Sequence, residues 1–172
     1  MLDSLHGKLL EADQDYALLD VNGLRFRPEI PASTYAQLPP VGEDMTLLTR
    51  VRLNVNEGDF LLFGFATETE RECFDIFMSI SGIGPRKGLM ILSQIEIAGF
   101  AKAVISNDLR YLGRIKGIGK KTAERLVVEL REKMAPFSKP EPAAAGSAAA
   151  GLTGGENVSD ADEGMSVVGC RQ

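Results

Sequence analysis

Residues 117–126 read Gly117-Ile118-Gly119-Lys120-Lys121-Thr122-Ala123-Glu124-Arg125-Leu126, and 35 residues earlier Ser81-Gly82-Ile83-Gly84-Pro85-Arg86 opens in the same way. Each Gly-Ile-Gly follows a short apolar stretch (Ile76 to Ile80, then Leu112 to Ile115) and precedes a new helical pattern. Cations follow at once: Arg86 and Lys87 after the first copy, Lys120 and Lys121 after the second. Glycine has no Cβ, so backbone N–H groups can approach an anion closely. The next helix offers unpaired N–H donors and the positive end of its dipole. Lysine and arginine neutralise phosphate charge. A single Gly-x-Gly between helices can be no more than a tight turn. Two copies, each with cations at the following helix start, predict a repeated helix–hairpin–helix unit that grips nucleic-acid backbone at two points.

Charge is distributed to suit that reading. The 172-residue chain has a net charge of −5, which argues against bulk attraction to DNA. Residues 1–65 carry 5 Lys/Arg against 10 Asp/Glu, and residues 136–172 carry 2 against 5. Residues 66–135 carry 12 against 9, so the excess of positive charge sits with the glycine repeats. Between 110 and 125 six cations (Arg110, Arg114, Lys116, Lys120, Lys121, Arg125) face the lone acid Glu124. That is a local electrostatic footprint within an acidic protein.

The remaining pattern divides the chain in four. Residues 1–65 read as β structure. Tyr16 to Val21 and Leu24 to Arg27 flank Asn22-Gly23, the pair that accepts the positive φ of a type I′ hairpin turn. Met45 to Val55 and Phe60 to Phe65 form a second candidate pair across Asn56-Glu57-Gly58-Asp59, and another strand falls near Leu5 to Ala12. About five strands in so short a segment suggest a small barrel of the OB type. Residues 66–135 are helical in period. Thr67-x-x-Glu70 is a capping box, and Ala123, Leu126, Val127, Leu130 and Met134 mark a core stripe. Residues 136–155, rich in Pro, Ala, Gly and Ser, read as a flexible linker. Residues 156–172 are too short to fold alone. The expected fold class is therefore α+β and multidomain: an N-terminal barrel, an all-α tandem helix–hairpin–helix domain, a linker, and a truncated or divergent C-terminal segment.

Several chemistries are disfavoured. The stretch around Gly119-Lys120 is not a P-loop, because Lys121 stands where Ser or Thr should hold magnesium and Arg114 where the first glycine should be. No catalytic constellation is expected. The single histidine, His6, and the distant Cys73 and Cys170 make a zinc site improbable, and no cofactor is expected. Cys73 reads as a small core hydrophobe. No apolar run approaches the ~20 residues of a membrane span, and no leader pattern opens the chain, so a cytoplasmic location is expected. Glu57-Gly58-Asp59 is by default a polar hairpin tip. As a functional element, two projecting carboxylates would repel phosphate.

The two glycine runs, with Leu62-Phe63-Gly64-Phe65 at the barrel exit, resemble the RuvA family of Holliday-junction-binding subunits over nearly all of residues 1–135. The resemblance implies a homotetramer that can double to an octamer, and partners in four-way junction DNA, a RuvB-type hexameric ATPase and a RuvC-type resolvase. It implies DNA contacts at Gly82, Gly84, Arg86, Lys87, Gly117, Gly119, Lys120, Lys121, Thr122 and Arg125. It also implies an acidic pin at the tip, where Glu57 matches the first of two adjacent acids, Gly58 replaces the second and Asp59 follows. The family's third domain engages the motor, and Val167 to Gln172 resembles only its opening segment. Two other readings stay open: a general duplex-binding accessory module of a repair enzyme, and a scaffold in which the Gly-Ile-Gly turns only pack helices.

Overall fold

The computed structural model describes residues 2–54 and 58–138. Glu57 of the expected pin, residues 139–155 of the expected linker and the whole 156–172 segment lie outside the described residues. Five strands, β1 (Ser4–Ala12), β2 (Ala17–Val21), β3 (Leu24–Phe26), β4 (Asp44–Asn54) and β5 (Asp59–Phe65), form one antiparallel sheet in the order β3-β2-β1-β4-β5. The turn between β2 and β3 is the expected one: Asn22 and Gly23 both have positive φ, 54° and 88°. Asp20 fixes it by accepting a hydrogen bond from the Gly23 N–H at 2.8 Å.

The sheet curls because the segment after β3 joins its two sides. On one side the Ala17 N–H donates to the Pro28 carbonyl (3.1 Å) and the Ile30 N–H to that of Asp15 (3.0 Å). On the other, the Glu29 N–H donates to the Leu62 carbonyl, and the Glu29 carbonyl accepts from the Gly64 N–H, both at 2.8 Å. This satisfies edge groups that an open sheet would leave unpaired and gives the OB-type barrel. Leu5, Leu9, Ala17, Leu19, Ile30 and Leu47 fill its interior. A four-residue helix, α1 (Ala32–Tyr35), follows the closing segment; it is too short to show a period in the sequence.

The helical region holds α2 (Glu68–Met78), α3 (Pro85–Leu92), α4 (Ile97–Ile105), α5 (Leu109–Leu112) and α6 (Lys120–Leu130). It is not a separate globule. Successive residues of a strand face opposite ways, so while Leu62 faces the barrel interior, Phe63 and Phe65 face outward and are fully buried against the helices. Their rings lie 5.1 and 5.0 Å from that of Phe74 on α2, and Phe77 meets Phe100 of α4 edge-on at 5.5 Å. Ala123, Leu126, Leu130 and Met134 are buried in the same core and Val127 packs against it. Cys73 is wholly buried there, and burial pushes its thiol well above the ordinary range. Pro136–Ser138 forms a 3-10 turn whose Phe137 also packs on this core, although the composition of this stretch suggests linker.

Polar contacts lock α2 to the barrel. The capping box is present: Thr67 Oγ1 accepts from the Glu70 N–H at 3.2 Å, and the Glu70 carboxylate accepts from the Thr67 N–H. Glu70 does more than cap. The same carboxylate oxygen accepts from the Thr34 hydroxyl at 2.8 Å and from the Ala66 N–H at 3.0 Å. Arg71 donates to Asp3 at 2.8 Å and to Glu68 at 2.6 Å, and Arg50 of β4 donates to Asp75 at 2.7 Å. Thr34 and Glu70 are both buried, so a missing partner is costly. Thr34→Val keeps the shape and removes the hydroxyl; it is expected to lower stability by about 1–3 kcal/mol. Urea unfolding should show a lower midpoint with an unchanged slope.

Candidate nucleic-acid interface

The two glycine runs fold into one backbone form. In the first, the Ile83 N–H donates to the Ile80 carbonyl at 3.2 Å, Gly82 has φ +88°, and Gly84 caps α3 with φ −87° and ψ 172°. In the second, the Ile118 N–H donates to the Ile115 carbonyl at 3.0 Å, Gly117 has φ +91°, and Gly119 caps α6 with φ −82° and ψ 171°. Ile83 and Ile118 are buried, so the central isoleucine anchors each turn while both glycines beside it stay exposed. The four glycines serve different needs. Gly82 and Gly117 occupy the left-handed region, which costs other residues roughly 1–2 kcal/mol. Gly84 and Gly119 have ordinary φ, and a Cβ on either would meet nothing within 4 Å. No fold constraint demands glycine there; what its absence of a side chain preserves is open space above the helix start.

That space is well placed for an anion. No side chain caps α3 or α6, so their first N–H groups keep no capping partner. Pro85 removes one donor from the first site but sits at N1, where a helix tolerates it. Arg86, Lys120, Lys121 and Arg125 are exposed, and Lys87 and Thr122 are half-buried. Among the described residues, none of these cations is in an ion pair, in contrast to Arg25, Arg50, Arg52 and Arg71. Arg25, Arg50, Arg52 and Arg71 are neutralised by neighbouring acids, whereas the cations at the hairpins have no acidic partner among the described residues. Lys87 has a backbone partner instead, since its ammonium donates to the Gly82 carbonyl at 3.4 Å.

α3 brings the two hairpins together. The methyl of Met90 occupies the place a Cβ on Gly117 would take, and the stem of Lys87 runs beside it. Beyond the helix end, the Gln94 side chain accepts from the Lys116 N–H at 2.9 Å. Sequence reading missed both Met90 and Gln94, because the second hairpin lies 22 residues from Gln94 and no local pattern couples them. A cleft of about 870 Å³ opens between barrel and helices, lined among others by Tyr16, Arg27, Arg86, Gln94 and Lys116. Arg27 stacks on the Tyr16 ring at 3.7 Å. Asp59 is exposed at the start of β5, opposite Asn54 of β4. Among the described residues no group of three or more His, Cys, Asp or Glu could hold a metal ion, and no single helix is long and apolar enough to cross a membrane.

Comparison with known proteins agrees with both halves of this architecture. Residues 1–64 match the family described as RuvA N terminal domain, and residues 74–132 match the SAM-like helix-hairpin-helix tandem family. A relative from Syntrophotalea carbinolica is 45% identical over 136 residues, covering 79% of this chain and 68% of its own length. The chain belongs to the RuvA family. Further RuvA relatives are found in Geotalea daltonii (48% identical, covering 78% of this chain and 66% of the relative) and Nitrosomonas europaea (47%, covering 79% and 69%). All three are described as Holliday junction branch migration complex subunit RuvA. The match thus spans about two thirds of each RuvA relative's length.

The division of labour among the glycines has a measurable consequence. Gly82→Ala and Gly117→Ala are expected to destabilise the fold by roughly 1–2 kcal/mol, the cost of alanine at positive φ. Gly84→Ala and Gly119→Ala should leave stability nearly unchanged, since the poorer cap offsets the smaller entropy of the unfolded chain. Urea unfolding of the four variants checks the ranking.

Proposed function

We propose that this chain binds four-way junction DNA without reading its sequence and holds it open and square for branch migration. The observation that carries this is the pair of matching Gly-Ile-Gly turns, each with an uncapped helix start and unpaired cations behind it. Such turns offer backbone N–H groups and point charges. These recognise phosphate and carry no base code. Gly82, Gly84, Gly117 and Gly119 admit the sugar–phosphate strand, with Thr122 beside the second approach. Arg86, Lys87, Lys120, Lys121 and Arg125 supply the charge.

The junction itself enters through family membership, since the relatives are named for a Holliday junction branch migration complex. In this reading four copies form a tetramer with its basic face toward the DNA, able to double into an octamer. Glu57 and Asp59 of each copy meet near the crossover and keep phosphates away from it by like-charge repulsion. A RuvB-type hexameric ATPase drives the arms, and this chain is the binding subunit, not the motor. A RuvC-type resolvase acts on the same cytoplasmic complex. The alternative, a general duplex-binding accessory module, shares the hairpins and differs only in lacking preference for a junction.

Competition at fixed salt between an immobile four-way junction and linear duplex of the same arms decides between them. Strong junction preference is the expected result; equal binding leaves the duplex module. Lys120→Ala with Lys121→Ala should weaken binding to all junction sequences alike. It should also lower the slope of log K against log salt by about 1–2. Gly119→Ala, with its fold intact, should also weaken binding, because its methyl group enters the space kept for phosphate. Glu57→Gln with Asp59→Asn should spare junction affinity and reduce the preference over duplex.

A further inference from the structure

We infer that Gln94 is a positioning residue, and that Lys87 and Met90 of α3, with Gln94 just past its end, form a spacer fixing the distance between the two phosphate grips. The inference rests on the DNA-gripping function proposed above. Lys87 and Met90, three residues apart, share one side of α3. Here that side touches backbone or open backbone space at both hairpins. Lys87 donates to the Gly82 carbonyl of the first hairpin at 3.4 Å, and its stem passes 3.7 Å from where a Gly117 Cβ would sit. The Met90 methyl fills that place.

Gln94 completes the contact with both ends of its amide. Its Nε2 donates to the Met90 carbonyl at 2.7 Å, which fixes the amide plane. Its Oε1 accepts from the Lys116 N–H at 2.9 Å, and Nε2 also reaches the Lys116 carbonyl at 3.4 Å. Lys116 immediately precedes Gly117, the left-handed residue that shapes the second turn. Holding both backbone groups of Lys116 therefore sets where that turn starts.

The gain is one of pre-organisation. Two weak grips on one duplex act together only when their spacing matches that of the phosphates. A hairpin already held in place has less ordering cost to meet on binding. Gln94 is uncharged, so it releases no counterion itself. Removing it should change affinity without changing the salt slope, unlike the loss of a lysine.

The test is a mutant cycle in the full chain, read by junction affinity. Gln94→Leu keeps a side chain of similar length and removes all three hydrogen bonds. Because Gln94 is exposed, the urea midpoint should hold. The expected result is a loss of affinity of about five- to tenfold, with the salt slope unchanged. Combined with Lys120→Ala and Lys121→Ala, that cost should largely vanish, since the second grip is already disabled. Combined with Arg86→Ala in the first hairpin, it should shrink as well, because spacing matters only while both grips hold. Such non-additivity with each grip marks coupling between them. If wild type prefers the junction and Gln94→Leu binds as well as wild type, the spacer is overturned and the function stands. A full, additive cost in both backgrounds also overturns it, being the mark of general loosening. If wild type binds neither junction nor duplex, the proposed function falls, and the spacer with it.

Discussion

The structure depends on the outward side of β5. Phe63 and Phe65 leave the barrel on the side opposite Leu62 and clasp Phe74 of α2. Aromatic rings of this size carry more buried apolar area than other core side chains. Their burial makes barrel and helices share one core. The inward residue between them must be small for this to work: a Cβ on Gly64 would lie 3.1–3.2 Å from Leu47, Ile30 and Pro28. Leu62-Phe63-Gly64-Phe65 is therefore a two-sided joint, tight within and bulky without. The orientation of α2, and so of every helix packed on it, follows from that joint.

Polar contacts make the joint specific. Phenylalanine packing alone tolerates sliding, since dispersion is non-directional. The Thr34–Glu70 bond, the Arg71–Asp3 pair and the Arg50–Asp75 pair each have direction and connect barrel to α2 at separate points. They also neutralise the cations nearest the barrel. Among the described residues, Arg86, Lys87, Lys120, Lys121 and Arg125 form a group of cations without an ion pair at the hairpins, in a chain whose net charge is −5. A protein of that overall charge repels DNA except where its hairpins face it.

Much of this was legible in the sequence because it is local. Asn22-Gly23 needs only its own φ angles to make a turn, and Thr67 and Glu70 lie within one helical turn of each other. The Gly-Ile-Gly runs carry their conformation in two glycines and one anchoring isoleucine, which is why both copies fold alike. Other features were not legible. α1 has too few residues to show a period. Phe137 packs on the core although its Pro- and Ala-rich surroundings suggest linker. Glu70 reads as a helix cap and is also the buried partner of Thr34, 36 residues away.

By itself, the sequence determined the elements, the two turns and the sign of the charge beside them, because each depends on neighbours within a few residues. Tertiary structure alone decided how the elements meet. It selected Pro28–Ile30 to close the barrel, through backbone bonds to β2 on one side and β5 on the other. It placed Met90 and Gln94 against the second hairpin, and it left Gly84 and Gly119 open above their helix starts. These outcomes depend on distance in space between residues far apart in the chain. Residue type constrains such distances only after the shared core has fixed where each element lies.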